Sequence, residues 1–253
     1  FQGNEEISWL YWDAEAERDG LLREDCFFQR RATGNPISAV FIASPTGVVL
    51  VGVTRQLIGE TWTSTNPFAY CGSVGPIKLD AEMTVIVRTV GEQIAKATGL
   101  RGLFGCDFVS DDETETMSLV EVNPRYPASV EILEQSLEIS LLTAHRAACE
   151  TTEEAAMAEF PTLPCSPVFG KAVWYAEAEM VFPGVERLSE MADIDPADVA
   201  DRPATGTLIA AGQPVCTVFA SSESADSCAA RLRGHLAKCA AASGEFGPIS
   251  KIS

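Results

Sequence analysis

Histidine is nearly missing from this chain: His145 and His235 are the only two in 253 residues. A His-centred catalytic triad has almost nothing to draw on, because such sites need a ring nitrogen placed as general base. Basic residues are also scarce, 18 against 36 acidic ones, giving a formal net charge of −18 and a pI near 4.4. That balance argues against a bare phosphate-backbone partner, so no nucleic acid is expected. It leaves a nucleotide open, since a bound metal neutralises phosphates locally. No apolar run reaches the roughly 18 to 20 residues of a membrane span, and the stretch 48–51 is typical of the longest. The Gly-x-Ser-x-Gly elbow, the Gly-Lys-Ser/Thr phosphate loop and the Gly-x-Gly-x-x-Gly fingerprint are all absent.

Eight cysteines are present, at 26, 71, 106, 149, 165, 216, 228 and 239, and no two stand two to four residues apart. The paired spacing of a zinc site is therefore missing. Most sit in apolar stretches, where a buried thiol acts as a small hydrophobe. With no signal-peptide pattern, the expected compartment is the reducing cytoplasm. The chain opens on Phe1-Gln2-Gly3, which matches the end of a protease-site tag, and residues 4–25 carry no clear period. The front portion is expected to be incomplete.

From Cys26 onward a pattern emerges. Phe27 to Arg31 reads as a short strand, and the runs 39–43 and 48–53 read as a hairpin joined by Ser44-Pro45-Thr46-Gly47. Residues 59–79 read as loop. Asp80 then caps a helix with Met83, Val87, Val90, Ile94 and Ala97 inward, ended by Gly99. Strands at 103–109 and 118–123 follow, around an acidic tip. A second helix is predicted from 129 to 150, with Ile132, Leu133, Leu137 and Leu141 buried. Residues 151–167 read as a linker. A smaller α/β unit follows over 168–253, with strands at 171–176 and 214–220 and a final helix capped by Ser224 that turns Ala229, Leu232, Leu236 and Cys239 inward.

The chemistry concentrates on the hairpin at 103–123. Alternate side chains on a strand face opposite ways. One face then carries Phe104, Cys106, Phe108, Val120 and Val122; the other carries Leu103, Gly105, Asp107, Val109, Leu119, Glu121 and Asn123. Symmetry about Thr114 puts Asp107 across from Glu121, with Asn123 one step along. Two carboxylates and an amide oxygen make an all-oxygen site of the kind magnesium prefers, with room for phosphate oxygens. Mutual repulsion of the carboxylates is a reason to expect a cation. Arg125, beside a rigid proline, can aim a guanidinium at phosphate or carboxylate. The competing reading is a solvated hairpin face carrying ordinary surface acids. Cys106 reads as core, and His145 and His235 as packed or solvated. Glu131 and Glu134 can face a substrate but read first as helix-dipole placements, and Lys171 can contact substrate but reads first as solvated.

Glu121-Val122-Asn123-Pro124-Arg125, preceded by the Gly105-Cys106-Asp107-Phe108 strand, resembles the metal-binding signature of the ATP-grasp superfamily. The similarity is greatest to a branch of predicted carboligases related to biotin carboxylase, and extends from about Phe27 through Glu134. The Gly206–Ile209 and Gly212–Val215 stretches resemble the small closing domain of such ligases. The resemblance implies an α+β ATP-grasp fold, an antiparallel sheet with flanking helices, as a nucleotide- and metal-binding domain over 26–150. It implies that Asp107, Glu121 and Asn123 hold Mg2+ on ATP, and that Phe28 and Gln29 frame the adenine. Arg125 would steady an acyl phosphate or incoming substrate, and Arg55 would reach phosphate or a substrate carboxylate. The implied reaction joins a carboxylate to an amine through an acyl phosphate; some relatives are tied to one-carbon cofactor assembly. No lysine precedes Lys78 and no glycine-rich loop precedes Phe27, which departs from the family's phosphate clamp. A non-catalytic nucleotide-binding or interaction module with the same cleft, and a plain structural α/β domain, are the alternatives.

Overall fold

A computed structural model describes residues 32–63, 67–111, 116–150 and 167–243. The expected hairpin is present and longer than its apolar cores. Strand β1 (Asn35–Ser44) turns into β2 (Gly47–Ile58) through two residues, with Ser44 paired to Gly47. Inside the stretch expected to be loop lies β3 (Tyr70–Gly75). Its sequence, Tyr-Cys-Gly-Ser-Val-Gly, has no alternating signal because its neighbours, not its own side chains, hold it. At Gly72, φ is 145°, and a Cβ would collide with the Lys171 carbonyl of the next strand, so only glycine fits.

Helix α1 (Ala81–Thr98) starts and stops where predicted. The Asp80 carboxylate accepts from the Met83 amide at 2.7 Å, and Gly99 closes the other end in the left-handed region. Met83, Val87 and Ala95 are buried; Ala97, expected inward, is exposed. Strands β4 (Gly102–Asp111) and β5 (Thr116–Asn123) follow. The single helix expected over 129–150 is two, α2 (Val130–Leu137) and α3 (Leu141–Glu150). The break has a local cause. Glu138 takes a left-handed φ of 55°, the Ser140 hydroxyl accepts from the Thr143 amide at 3.3 Å, and Glu134 Oε1 accepts from the Leu141 amide at 2.6 Å. These acceptors start a new helix. The predicted stripe of Ile132, Leu133, Leu137 and Leu141 is buried across the break.

The rest comprises β6 (Val168–Tyr175), β7 (Met180–Val181), α4 (Val185–Ala192), β8 (Val199–Ala200), β9 (Leu208–Ile209), β10 (Pro214–Ser222) and α5 (Ala225–Ser243). Leu232, Leu236 and Cys239 of α5 are buried as predicted. The residues after 167 do not stand apart as a second domain. Antiparallel pairing of β3 with β6 joins them to one eight-stranded sheet, ordered β5-β4-β1-β2-β3-β6-β10-β8, and the chain from residue 33 forms one compact unit. Of the expected linker at 151–167, residues 151–166 lie outside the described residues, as do the segment 1–25 and the expected strand at 27–31.

The sheet is layered on both sides. Phe41, stacked on Phe104 with ring centroids 5.0 Å apart, packs with Val87 and Ala95 of α1. On that same face, Gly170 and Val74 meet Cys228 and Leu232 of α5. The opposite face packs Val40, Ile42 and Leu103 against α2 and α3. The helices leave part of this second face polar. Among the described residues no helix is long and apolar enough to cross a membrane.

Candidate active site

The β4–β5 pairing aligns Gly105 with Asn123, Cys106 with Val122 and Asp107 with Glu121. Paired residues on antiparallel strands share a face, with Cα atoms about 5 Å apart. The expected opposition of Asp107 and Glu121 is therefore observed. A β-bulge follows immediately, so Phe108 pairs with Leu119 and the register shifts by one residue toward the tip. Leu119 thus moves to the face of Phe108, contrary to simple alternation, and Val120 at the bulge is exposed rather than packed. Beyond the bulge the ladder resumes in the shifted register, through Val109 with Ser118 to Asp111 with Thr116.

Asn123 is buried, and its amide Nδ2 donates to Asp107 Oδ2 at 3.0 Å. Its Oδ1 in turn accepts from Arg125 Nη2 at 2.9 Å. Asp107, Asn123 and Arg125 thus form one chain of side-chain hydrogen bonds. Burial raises the Asp107 pKa; hydrogen bonds from Ser38, Gln56 and Asn123 oppose the rise, while the neighbouring Glu121 charge adds to it. The carboxylate is short of positive charge. Cys106 points the other way into the core, where burial pushes its thiol up to about 12, as its reading as a packing residue requires.

The chain after Arg125 crosses back over the sheet. Pro127 lies against Gly105, where a Cβ would approach its ring to 3.0 Å, and the buried Ser129 hydroxyl donates to Ser38 at 3.3 Å. That crossing delivers α2 to the sheet face. Glu131, in its first turn, accepts from Lys171 Nζ of β6 at 2.6 Å. Register links the two ends: Asp107 pairs with Ser38 on β1, Gln56 of β2 pairs with Ser73 of β3, and Ser73 pairs with Lys171. The Tyr70 hydroxyl shares a hydrogen bond with Ser73 at 2.9 Å. Burial raises its pKa, and the charges of Glu131 and Asp107 both add to the rise. One polar band therefore runs from Glu121 to Lys171 across the sheet.

For Lys171 and Glu131 the sequence leaves substrate contact open and favours solvation and helix-dipole placement; the structure pairs them at one end of this band. Lys171 is buried rather than solvated, and Glu131 is an ion-pair partner rather than only a helix-dipole placement. The available signal was a lone charge in the apolar strand Val168–Tyr175. Arg55 is not brought to the band. It alternates with Thr54 and Gln56 onto the opposite face, where its guanidinium donates to Asp226 Oδ1 at 2.6 Å and to the Ala225 carbonyl at 3.1 Å. Phe28 and Gln29 lie outside the described residues. His145 Nδ1 accepts from the Leu103 amide at 2.9 Å, a packing role.

Among the described residues no three His, Cys, Asp or Glu side chains gather as a metal cluster. The expected magnesium triad contains two carboxylates, with the Asn123 amide as its third member. In the present arrangement that amide turns its nitrogen toward Asp107 and its oxygen toward Arg125. A half rotation exchanges the two atoms. The donor set therefore fits a hard divalent cation: oxygen-rich, with two acids side by side and insufficiently compensated.

Residues 8–129 match the family model of the ATP-grasp domain. Among solved structures, an L-amino acid ligase from Bacillus licheniformis superposes with a TM-score of 0.62 at 17% identity, covering 81% of this chain and 53% of that one. An N5-carboxyaminoimidazole synthase from Aspergillus clavatus, in complex with ADP, gives a TM-score of 0.57 at 10% identity, over 81% and 51% of the two chains. Biotin carboxylase from Campylobacter jejuni gives 0.53 at 12% identity, over 80% and 45%. The chain thus spans about half the length of these proteins. No curated protein is significantly similar in sequence. With the ATP-grasp domain model matching residues 8–129 and the α+β architecture shared with these structures, the chain carries an ATP-grasp fold.

Proposed function

We propose that this protein is an ATP-dependent ligase that joins a carboxylate to an amine, acting in the cytoplasm in cofactor assembly. The observation that carries the reading is the opposition of Asp107 and Glu121 on an open sheet face, with Asn123 bonded between Asp107 and Arg125. In this reading a substrate carboxylate oxygen attacks the γ-phosphorus of ATP and ADP leaves. The amine then attacks the acyl carbon, phosphate departs, and the amine gives up a proton as the amide forms. The protein contributes position and charge rather than a covalent intermediate.

Asp107, Glu121 and Asn123 would hold Mg2+; the Asp107 carboxylate is destabilised by burial and by the adjacent Glu121 charge, and a cation would relieve both. Magnesium supplies neutralisation of the nucleotide's phosphate charge when bound. Arg125, released from Asn123, would present its guanidinium to an oxyanion. Phe28 and Gln29 would frame the adenine. Arg55 is given no catalytic part, because Asp226 and the Ala225 carbonyl hold its guanidinium on the far face.

The test is ADP release from ATP and magnesium in the presence of carboxylic acids and amines together. The ligase reading predicts release that requires both substrates and falls at least a hundredfold in Arg125→Ala. Tight nucleotide binding with no turnover under any substrate pair would instead support the non-catalytic module.

A further inference from the structure

Among the described residues Lys171 is the only charged side chain in the buried interior. Its side chain is 9% exposed, while that of its partner Glu131 is 43% exposed. An ammonium carries three N–H donors, and Glu131 Oε2 is the acceptor it has among the described residues. Removing an ammonium from water is costly when it is incompletely paired. A structural strut of this kind would be better served by two apolar side chains. The pair also sits on the same face as Asp107, which pairs with Ser38, while Lys171 pairs with Ser73 and Ser73 with Gln56 on that face.

Charge narrows what could lie there. Asp107, Glu121 and Glu131 stand along this band against Lys171 and Arg125. A ligand carrying only carboxylates would face Glu131; one carrying only an amine would face the Lys171 ammonium. A ligand with both groups satisfies both members of the pair. We infer that Lys171 and Glu131 form the recognition site for a substrate of the ligation, and that they select a zwitterion of the α-amino-acid type, its carboxylate on Lys171 and its ammonium on Glu131. This inference rests on the ligase reading and names the substrate class of that site.

Calorimetry on the full chain separates the two. Titrating an ATP analogue with magnesium reports the nucleotide site, and titrating the twenty proteinogenic L-amino acids one by one reports the ion pair. At least one amino acid is expected to bind, while acetate, succinate and methylamine are not. Lys171→Met and Glu131→Gln should each weaken that amino acid at least tenfold and leave the ATP analogue within twofold. The reversed pair, Lys171→Glu with Glu131→Lys, should recover part of the loss. Circular dichroism melts identify a variant that has not folded, and Glu131→Gln, at a half-exposed position, keeps the test alive if Lys171→Met fails. Nucleotide binding without any amino acid binding, or amino acid binding that ignores both substitutions, overturns the inference alone. Amino acid binding without nucleotide binding overturns the ligase reading and leaves the pair standing.

Discussion

Gly91 faces Phe41 inside α1, and a Cβ at this position would run into the Phe41 ring, itself stacked on Phe104. Alanine is the better helix former by up to about 1 kcal/mol, but overpacking a filled core costs about 1–3 kcal/mol. Gly91→Ala should therefore lower stability in a denaturant titration. His235 offers a second test at this scale. Burial, with Arg231 and Lys238 nearby, lowers its pKa below the ordinary 6.5, and its Nδ1 is buried without a partner among the described residues. The unfolded chain then binds the proton more readily, so His235 contributes stability above pH 6.5 that is lost as pH falls through its folded value. His235→Gln should flatten the decline in melting temperature over that window; an identical pH profile would remove the assignment. Asp107 and Glu121 were legible from sequence because strand alternation and hairpin symmetry act over a few residues. The burial and pairing of Lys171 were not legible, since its partner Glu131 lies forty residues away on another element.

Local signals set the ends of the elements. The Asp80 cap of α1 should be worth about 1 kcal/mol, read as the loss in Asp80→Ala. The same signals explain what was misread. The periodic stripe through 132–141 continues in space across the α2–α3 break, so periodicity alone reads one helix. The Ser140 and Glu134 acceptors that divide it depend on a left-handed residue at Glu138. Likewise β3 carries two glycines and no alternation; it is a strand because β2 and β6 hydrogen-bond to it on either side. The bulge beyond Asp107 belongs to the same class, a tertiary adjustment invisible in spacing that nonetheless leaves the Asp107–Glu121 pair in register.

At the scale of the molecule, β3 is the seam that makes one sheet from two sequence-distant halves. Composition shifts at 151–167 read as a domain boundary, yet the pairing of Gly72 with Ala172 and of Ser73 with Lys171 carries the sheet across it. Gly72→Val should destabilise the whole unit rather than one half, giving a single shifted transition by both fluorescence and circular dichroism. The same seam brings Lys171 to the face that holds Asp107, so the second half of the chain contributes to the polar band there. The central claim is that Asp107, Glu121 and Asn123 together hold the cation of a bound nucleotide. Its most direct measurement is calorimetric binding of an ATP analogue with and without magnesium to wild type, Asp107→Asn and Glu121→Ala. The account predicts binding that requires magnesium and weakens at least tenfold in both variants; equal affinity in chelator, or in Glu121→Ala, would contradict it.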